Sequence, residues 1–191
     1  MTSFHTGQAV QSQGVKWCDI QVGDLVWVKN KQPFPADVVV LCSSEDEHIA
    51  YIETSPIDGE TNLKLRRAID VPEIVGLQLG PDIAMERCEN LRGQIECDPP
   101  NMNINSFTGT YTSNGQTIPI DNENVIYRGS LLRNTKWIIG LAVYTGEDTK
   151  LQVSTTGSVL HHPVVVSTDH TLVSPSVTEK RSSCSIQDVK D

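Results

Sequence analysis

A short polar turn at residues 55–64 places a carboxylate and a hydroxyl side by side between two strand-like runs. Pro56 restricts φ where the turn begins, and Gly59 lets the chain bend because it has no Cβ. We expect the carboxylate of Glu60 to project outward beside the hydroxyl of Thr61. This arrangement offers a general base, and it does not offer the set of ligands that would enclose a metal ion.

The same residues have a structural interpretation. Asp-Gly turns are common on protein surfaces, where their acidic side chains can serve only solubility. Asp58 in particular could accept backbone amide protons as an Asx motif, so a structural and a catalytic role both stay open for it. The sequence on either side of the turn therefore decides between the two interpretations.

The flanking sequence resembles that of one protein family. Residues 58–64, with the sequence Asp-Gly-Glu-Thr-Asn-Leu-Lys, look like the signature loop of the phospholipid-flippase branch of the P-type ATPases, whose ion-pumping relatives usually carry Thr-Gly-Glu-Ser. Further segments resemble the family and keep its order: residues 22–26, 35–41, 51–54, 101–103, 107–109, 127–140 and 143–151. The resemblance covers about residues 15–151, and it is specific to the actuator domain.

The resemblance implies a mainly β, distorted jelly-roll domain that acts within an ATP-driven phospholipid translocase. In such pumps phosphate passes from ATP to an aspartate on another domain, and the loop that carries Glu60 returns to hydrolyse that acyl phosphate. By this comparison Glu60 orients one water and takes its proton, assisted by Thr61. Gly59 permits close backbone approach, and Asp58 either shapes the loop or takes part in the chemistry. A well-placed general base contributes roughly 10²–10⁴-fold to a rate.

The sequence lacks the phosphorylation and nucleotide motifs of a complete pump. It contains neither Asp-Lys-Thr-Gly nor a Gly-x-x-x-x-Gly-Lys-Ser/Thr loop. We therefore expect no cofactor or metal in this chain, with Mg²⁺ and ATP acting elsewhere in the parent enzyme. The implied partners are the phosphorylation domain and membrane helices of the parent pump and its phospholipid substrate. Alone, the chain should neither hydrolyse ATP nor move lipid.

Composition narrows the remaining possibilities. A chain of 191 residues with 38% hydrophobic residues can form one packed domain. Its net charge of −9 argues against nucleic acid, whose phosphates require clustered Lys and Arg. Its cysteines form no Cys-x-x-Cys pair and predict free thiols in a reducing compartment; they are Cys18, Cys42, Cys88, Cys97 and Cys184.

Membrane and targeting signals are weak in this sequence. No run approaches the 18 or so apolar residues needed to cross a bilayer, and the first residues do not resemble a secretory signal. We therefore expect a chain that is soluble by itself and cytoplasmic, and that lies on the cytosolic face of a membrane protein in the parent.

Runs rich in Val, Ile, Leu and Thr predict a mainly β domain. They lie at residues 20–28, 37–42, 49–54, 63–69, 104–112, 117–120, 124–133 and 136–144. Residues 113–116, Ser-Asn-Gly-Gln, predict a tight hairpin. Residues 71–100 have the character of a loop insertion with one short helix over 83–92, capped by Asp82 and ended by Gly93.

The predicted boundaries are a tail at residues 1–14, the actuator domain at 15–151 and a disordered tail at 152–191. In the last segment Ser and Thr are frequent and charge is sparse. A flippase would have a membrane hairpin before the domain and a transmembrane helix soon after it. The sequence departs from the family at both places, which suggests a truncated, alternatively spliced or mis-joined product, or an excised piece.

Charged residues outside the loop have competing interpretations. Asp24 and Asp37 lie at strand ends, where we expect each carboxylate to accept amide protons of a turn. Arg128, Arg133 and Lys136 could meet phosphate or a neighbouring domain, although solvated cations are commoner. The histidines have no partners at metal-ligand spacing, so we expect no zinc or nickel site.

Two other functions stay open at this point. Residues 22–28 also resemble the first strand of small SH3-like barrels, which would make the chain a non-enzymatic β-barrel binding module. Such a barrel needs only about 60 residues and leaves residues 100–151 unexplained. The second alternative is a regulatory truncated isoform that competes with the intact pump's own domain.

Overall fold

The computed structural model describes residues 16–74, 80–101, 103, 106–156 and 163–167. Within these ranges the chain consists mainly of short antiparallel strands, which confirms the predicted mainly β class. The strands are β1 (Leu25–Lys29), β2 (Asp37–Ser43), β3 (Ile49–Glu53), β4 (Lys64–Arg67), β5 (Gln94–Cys97), β6 (Gly109–Ser113), β7 (Gln116–Ile120), β8 (Val125–Ile126), β9 (Leu131–Arg133), β10 (Trp137–Tyr144) and β11 (Val164–Ser167). The helices are α1 (Ser55–Asp58), α2 (Pro81–Glu89) and α3 (Lys150–Thr156), and 3₁₀ turns lie at Trp17–Asp19, Asp46–His48, Asn122–Asn124 and Gly146–Asp148.

A four-stranded sheet in the order β1-β10-β2-β8 forms the centre of the domain. Every residue of β2 and β10 is buried. Their side chains alternate between two hydrophobic clusters. Val39, Leu41, Ile139, Leu141 and Val143 belong to the first cluster, and Val38, Val40, Ile138 and Ala142 belong to the second. Because both faces of the sheet are covered, these strands are continuous apolar runs in the sequence rather than alternating ones.

Two smaller sheets cover the faces of the central one. The sheet β11-β5-β6-β7 contributes Ile95, Tyr111 and Val166 to the first cluster, together with the buried side of α2. The sheet β4-β3-β9 contributes Ile52 and Leu132 to the second cluster. The segment that carries the candidate loop connects β3 to β4, so it is held at both ends by this second, smaller sheet.

The hairpin between β6 and β7 confirms the prediction for residues 113–116. Asn114 and Gly115 have φ values of 50° and 78°, and a tight two-residue hairpin turn requires such values at both central positions. The run predicted as one strand at residues 124–133 forms two strands, β8 and β9. Gly129 turns the chain between them with a φ of 87°.

The helix predicted in the insertion lies slightly earlier than residues 83–92. α2 begins at Pro81, with Gly80 and not Asp82 at the N-cap. The fixed φ of proline suits the first turn of a helix, where its missing N–H is not needed. Pro81 is therefore the residue in the sequence that marks the start of α2, and Asp82 lies inside its first turn.

The prediction that residues 94–97 belong to a loop is wrong, because they form β5. Gln94 and Glu96 are exposed while Ile95 and Cys97 are buried, which is the alternation of a strand with one solvent face. A run of four residues gives little local signal. Its pairing with β6 and β11, which are distant in sequence, stabilises the strand.

The prediction of a disordered tail is wrong for residues 152–156 and 164–167. The first segment continues α3, and the second forms β11, which pairs antiparallel with β5. Val153 and Val166 are both buried, so each segment contributes apolar surface that offsets its ordering entropy. The remainder of the predicted tail, like residues 1–14, lies outside the described residues.

The buried carboxylate of Asp37 joins distant parts of the chain. Oδ1 accepts the backbone N–H of Arg128 at 2.8 Å, and Oδ2 accepts the backbone N–H of Lys150 at 2.7 Å. The predicted acceptor role is confirmed, although the donors come from afar and not from a local turn. Asp24 does cap a local turn, accepting the N–H of Gln21 at 2.8 Å. Burial raises the pKa of Asp37 to about 6, against the opposing effect of its hydrogen bonds.

The raised pKa of Asp37 makes stability depend on pH in a defined direction. The folded chain binds this proton more tightly than the unfolded chain, in which the carboxyl has its ordinary pKa of 3.8. The contribution of Asp37 to the free energy of unfolding is therefore fully present below pH 4. It falls by about 3 kcal/mol as the pH rises through 6, if the whole shift applies.

Replacing Asp37 with Asn should remove this pH dependence. The amide of Asn turns an N–H group toward one of the two backbone donors, which costs about 1–3 kcal/mol. The variant should be less stable than the wild type at pH 4, and the difference should shrink toward pH 7. Denaturant unfolding across this range measures it, with the exposed Asp24→Asn as the matched control. Parallel pH profiles for wild type and Asp37→Asn would contradict the assignment.

The two neighbouring valines of β11 test whether the tail strand belongs to the fold. Val166 is 3% exposed and Val165 is 55% exposed. We expect Val166→Ala to lower the free energy of unfolding by about 1–2 kcal/mol, because it removes buried methyl groups. Val165→Ala should change it by no more than about 0.5 kcal/mol. Equal small effects at both positions in urea unfolding would show that β11 does not pack on the core.

Candidate functional site

The candidate loop begins with a single helical turn, α1, where the sequence predicts only a bend. Pro56 lies in the first turn of α1, as its fixed φ favours. Gly59 follows with a φ of 75°, and its N–H donates to the carbonyl oxygen of Ser55 at 3.1 Å. This left-handed conformation confirms why a glycine is needed at this position. The chain then reverses direction and enters β4.

The carboxylate of Asp58 is the organising group of the loop. Its Oδ1 accepts the backbone N–H of Glu60 at 3.0 Å, which is the contact of an Asx motif. Its Oδ2 accepts the hydroxyl of Thr54 at 3.0 Å and the ammonium of Lys64 at 2.7 Å. These contacts, with Lys64 the largest, lower the pKa of Asp58 to about 2. The sequence left a structural and a catalytic role open for Asp58. Its hydrogen bonds support the structural role.

Glu60 and Thr61 lie next to each other on the exposed side of the loop. The side chain of Glu60 is 47% exposed, and its Oε2 lies 2.9 Å from Nζ of Lys64. Lys64 therefore contacts both acidic residues of the loop, and their carboxylates raise its pKa. The structure brings together all four residues singled out from the sequence, with Lys64 added to them.

A second ion pair supports the start of the loop. Glu53, the last residue of β3, accepts Nε of Arg133 at 2.7 Å through Oε2. Its Oε1 accepts the hydroxyl of Ser55, the first residue of α1. The hydrogen bond from Ser55, followed by that from Arg133, lowers the pKa of Glu53. Arg133 thus links strand β9 to the start of the loop. The sequence analysis considered a contact with phosphate or a neighbouring domain, or a solvated side chain, and neither interpretation predicted this link.

The apolar side of α1 packs on the body of the domain. Gly129 lies between α1 and α3, since a Cβ on it would be 3.7 Å from both Ile57 and Leu151. Arg128, beside it, donates from Nη1 to the carbonyl oxygen of Gly146 at 2.9 Å. The guanidinium of Arg128 is therefore engaged within the domain. α1 is fixed on one side by ion pairs and on the other by apolar contacts.

Other candidate sites give little support to a different function. Among the described residues no group of His, Cys, Asp and Glu has the arrangement of a metal site. Cys18, Cys42, Cys88 and Cys97 form no disulfide bond among the described residues, and the remaining cysteine and the three histidines after residue 160 lie outside the described ranges. A hollow of about 380 Å³ lies beside β5 and β6, and no residue of the candidate loop lines it. None of the described helices has the length and apolarity that a bilayer crossing requires.

Sequence reasoning missed Lys64 and Glu53 as supporting residues. A signal for Lys64 was present, because it follows Glu60 by four residues and Asp58 by six in a short turn, where opposite charges are drawn together. No local signal connects Glu53 to Arg133. The contact forms because β3 pairs with β9, 80 residues further along the chain.

Comparison with known proteins finds phospholipid-transporting ATPases among the relatives of this chain. The chain is 42% identical over 137 residues to phospholipid-transporting ATPase FetA of Mus musculus, and 38% identical over 150 residues to phospholipid-transporting ATPase DRS2 of Saccharomyces cerevisiae. It is 40% identical over 139 residues to phospholipid-transporting ATPase ID of Homo sapiens. No protein-family profile matches the chain.

These similarities extend over most of this chain and a small part of each relative. They cover 72%, 78% and 73% of the chain, whereas the chain spans about 11% of the length of the curated relatives it matches. The resemblance inferred from the loop and its flanking segments is thereby confirmed at the level of the family. By sequence the chain is related to the phospholipid-transporting P-type ATPases, as the homologue of one segment of them.

Proposed function

We propose that this chain is the actuator-domain portion of an ATP-driven phospholipid translocase, and that its loop promotes hydrolysis of the aspartyl phosphate formed on another domain. The observation that carries the proposal is a solvent-facing Glu60 on a loop whose Asp58 is held in place by hydrogen bonds. The kinship with phospholipid-transporting ATPases supplies the reaction and the phospholipid substrate of the parent.

The two acidic residues of the loop differ, because Asp58 is held by hydrogen bonds and Glu60 is available to another partner. Asp58 accepts three hydrogen bonds and is committed to the shape of the turn. Glu60 is half exposed, and its ion pair with Lys64 is of the kind that contributes only about 0–1 kcal/mol. A water can therefore compete with Lys64 for its carboxylate at little cost.

The chemistry requires a base and a backbone that can come close to phosphorus. Glu60 takes the proton of the attacking water, and the hydroxyl of Thr61 holds the same water or a phosphoryl oxygen. Gly59 leaves open space, since a Cβ there would meet no atom within 4 Å. Positioning of the water adds to the contribution of the base once the site closes.

The rest of the pump supplies what this chain lacks. The aspartyl phosphate belongs to the phosphorylation domain, and Mg²⁺ and ATP act there. In this proposal membrane helices of the parent carry the phospholipid and drive the approach of the loop, and the domain lies on the cytosolic face. The kinship supports a phospholipid substrate for the parent, and in this proposal the described loop is the surface that the phosphorylation domain engages.

The pairing of the first strand disfavours the small-barrel alternative. β1 pairs with β10 along its whole length, from Leu25 with Leu141 to Lys29 with Trp137. An SH3-like barrel of about 60 residues would close on itself within the first part of the chain. The described fold instead needs residues from both ends of the 15–151 span, as an actuator domain would.

Glu60→Gln in an intact pump that carries this domain tests the proposed function. The amide keeps the size of the side chain but cannot accept the proton of water. Phosphorylation by ATP should survive, and breakdown of the acyl phosphate should slow by about 10²-fold or more. Rapid-quench measurement of the phosphoenzyme after an ATP chase gives both rates, and the phosphoenzyme should accumulate.

Glu86→Gln is the matched control, because Glu86 is an exposed glutamate on α2 outside the loop. It should leave both rates unchanged. Folding of the Glu60→Gln domain should also be unaffected to within about 0.5 kcal/mol, as expected for an exposed side chain. Normal breakdown of the phosphoenzyme in Glu60→Gln would make Glu60 an ordinary surface acid and end the proposal.

A further inference from the structure

We infer that Lys64 is a positioning residue for the dephosphorylation step, which holds the carboxylate of Glu60 and offsets the negative charge of the loop as it approaches the phosphoryl group. This inference rests on the proposed function. It concerns a side chain that acts on the reaction through Glu60 and not on the phosphate by a bond of its own.

Lys64 is presented by a more rigid element than the residue it holds. It is the first residue of β4, and it pairs with Ile52 of β3, whose side chain lies in the core. Glu60 belongs to the turn that precedes β4. Ladder hydrogen bonds therefore hold the backbone of Lys64, while Glu60 lies in the turn outside the ladder.

The two ion pairs of Lys64 have different strengths. Nζ lies 2.7 Å from Oδ2 of Asp58, and that carboxylate is further held by Thr54 and by the N–H of Glu60. Nζ lies 2.9 Å from Oε2 of Glu60, whose side chain is the more exposed of the two acids. When Glu60 turns toward a water, Lys64 stays beside Asp58 and keeps the charge balance of the loop.

Charge gives Lys64 a further role when the loop docks. With Lys64 the three ionised groups Asp58, Glu60 and Lys64 carry one net negative charge, and without it they carry two. The loop must approach an acyl phosphate, which is itself anionic, and like charges brought together oppose docking. One cation at the base of the loop removes about half of that repulsion.

Two other nearby cations, Arg66 and Arg133, are committed elsewhere. Arg66 is buried in β4, where Nε donates to the carbonyl oxygen of Val125 at 2.9 Å. Arg133 is paired with Glu53 at the opposite end of α1. Among the ion pairs of the described residues, those that reach the acids of the loop both come from Lys64.

Lys64→Met, which keeps the length and removes the charge, tests the inference in the intact pump. Formation of the phosphoenzyme from ATP should be unchanged, and its breakdown should slow about tenfold, because the ion pair with Glu60 and the charge balance of the docking loop are both lost. Lys64→Arg should restore most of the rate, because a guanidinium can contact both carboxylates. Lys29→Met, at an exposed lysine of β1, is the matched control and should behave as the wild type.

Salt separates the charge effect from a loss of structure. Raising the ionic strength from about 0.1 M to about 1 M shortens the Debye length from about 10 Å to about 3 Å. The defect of Lys64→Met should shrink in high salt relative to Lys29→Met, because screening weakens the repulsion that Lys64 otherwise offsets. A purely structural defect would persist in high salt and would not be rescued by arginine.

The outcomes distinguish this inference from the proposed function. If Glu60→Gln accumulates phosphoenzyme while Lys64→Met breaks it down at or above the wild-type rate, the role of Lys64 is overturned and the function of the loop stands. If Lys64→Met and Lys64→Arg are equally slow at every salt concentration, the role is also overturned. In a Glu60→Gln background, Lys64→Met should add less than its tenfold slowing in the wild type, because only the charge of Asp58 is then left without its partner, and a full tenfold addition would show that Lys64 does not act through Glu60.

Discussion

The buried carboxylate of Asp37 is the contact on which the arrangement of the domain depends. It lies at the start of the central strand β2 and accepts backbone N–H groups from Arg128 and Lys150. Arg128 directly precedes the turn at Gly129, and Lys150 is the first residue of α3. Gly129 lies close to both Ile57 of α1 and Leu151 of α3, since a Cβ on it would be 3.7 Å from each. The position of the candidate loop is thus connected to one carboxylate in the core by a short series of direct contacts.

A buried carboxylate is costly, and this one is retained because it satisfies two amides that would otherwise lack acceptors. The loop itself uses the opposite arrangement. Its ion pairs lie near water, where each contributes little, so Glu60 can be released without disturbing the core. The domain combines a tightly satisfied polar contact inside with weak and exchangeable ones at the surface, as the proposed function requires of a loop that docks and withdraws.

The sequence was informative wherever a local physical requirement singles out a residue type. Gly59, Asn114 and Gly115 adopt positive φ as predicted, because few other residues tolerate that conformation. The apolar runs of β2 and β10 predicted buried strands. The strands β5 and β11 were missed, since each is only four residues long and exists through pairing with a distant segment.

Only some residues of the candidate site could be predicted from the sequence. Glu60 and Thr61 were identified through a motif, and Asp58 through its tendency to cap turns. The pairing of Glu53 with Arg133 depends on the register of β3 with β9, which no local pattern specifies. Long-range register is set by the balance of the whole core, so it becomes visible only when the sheets are assembled.

The tail strand has a consequence for how the domain behaves among its neighbours. Sheet edges expose unpaired amide and carbonyl groups, and they recruit strands from other molecules unless something blocks them. In the sheet β11-β5-β6-β7 one edge strand contains Pro119, which has no N–H to donate, and the other edge is β11. Proteolytic loss of residues 164–167 would uncover β5, which has no proline, and would expose apolar surface now covered by Val166. The same four residues that complete the sheet therefore also protect the domain from aggregation.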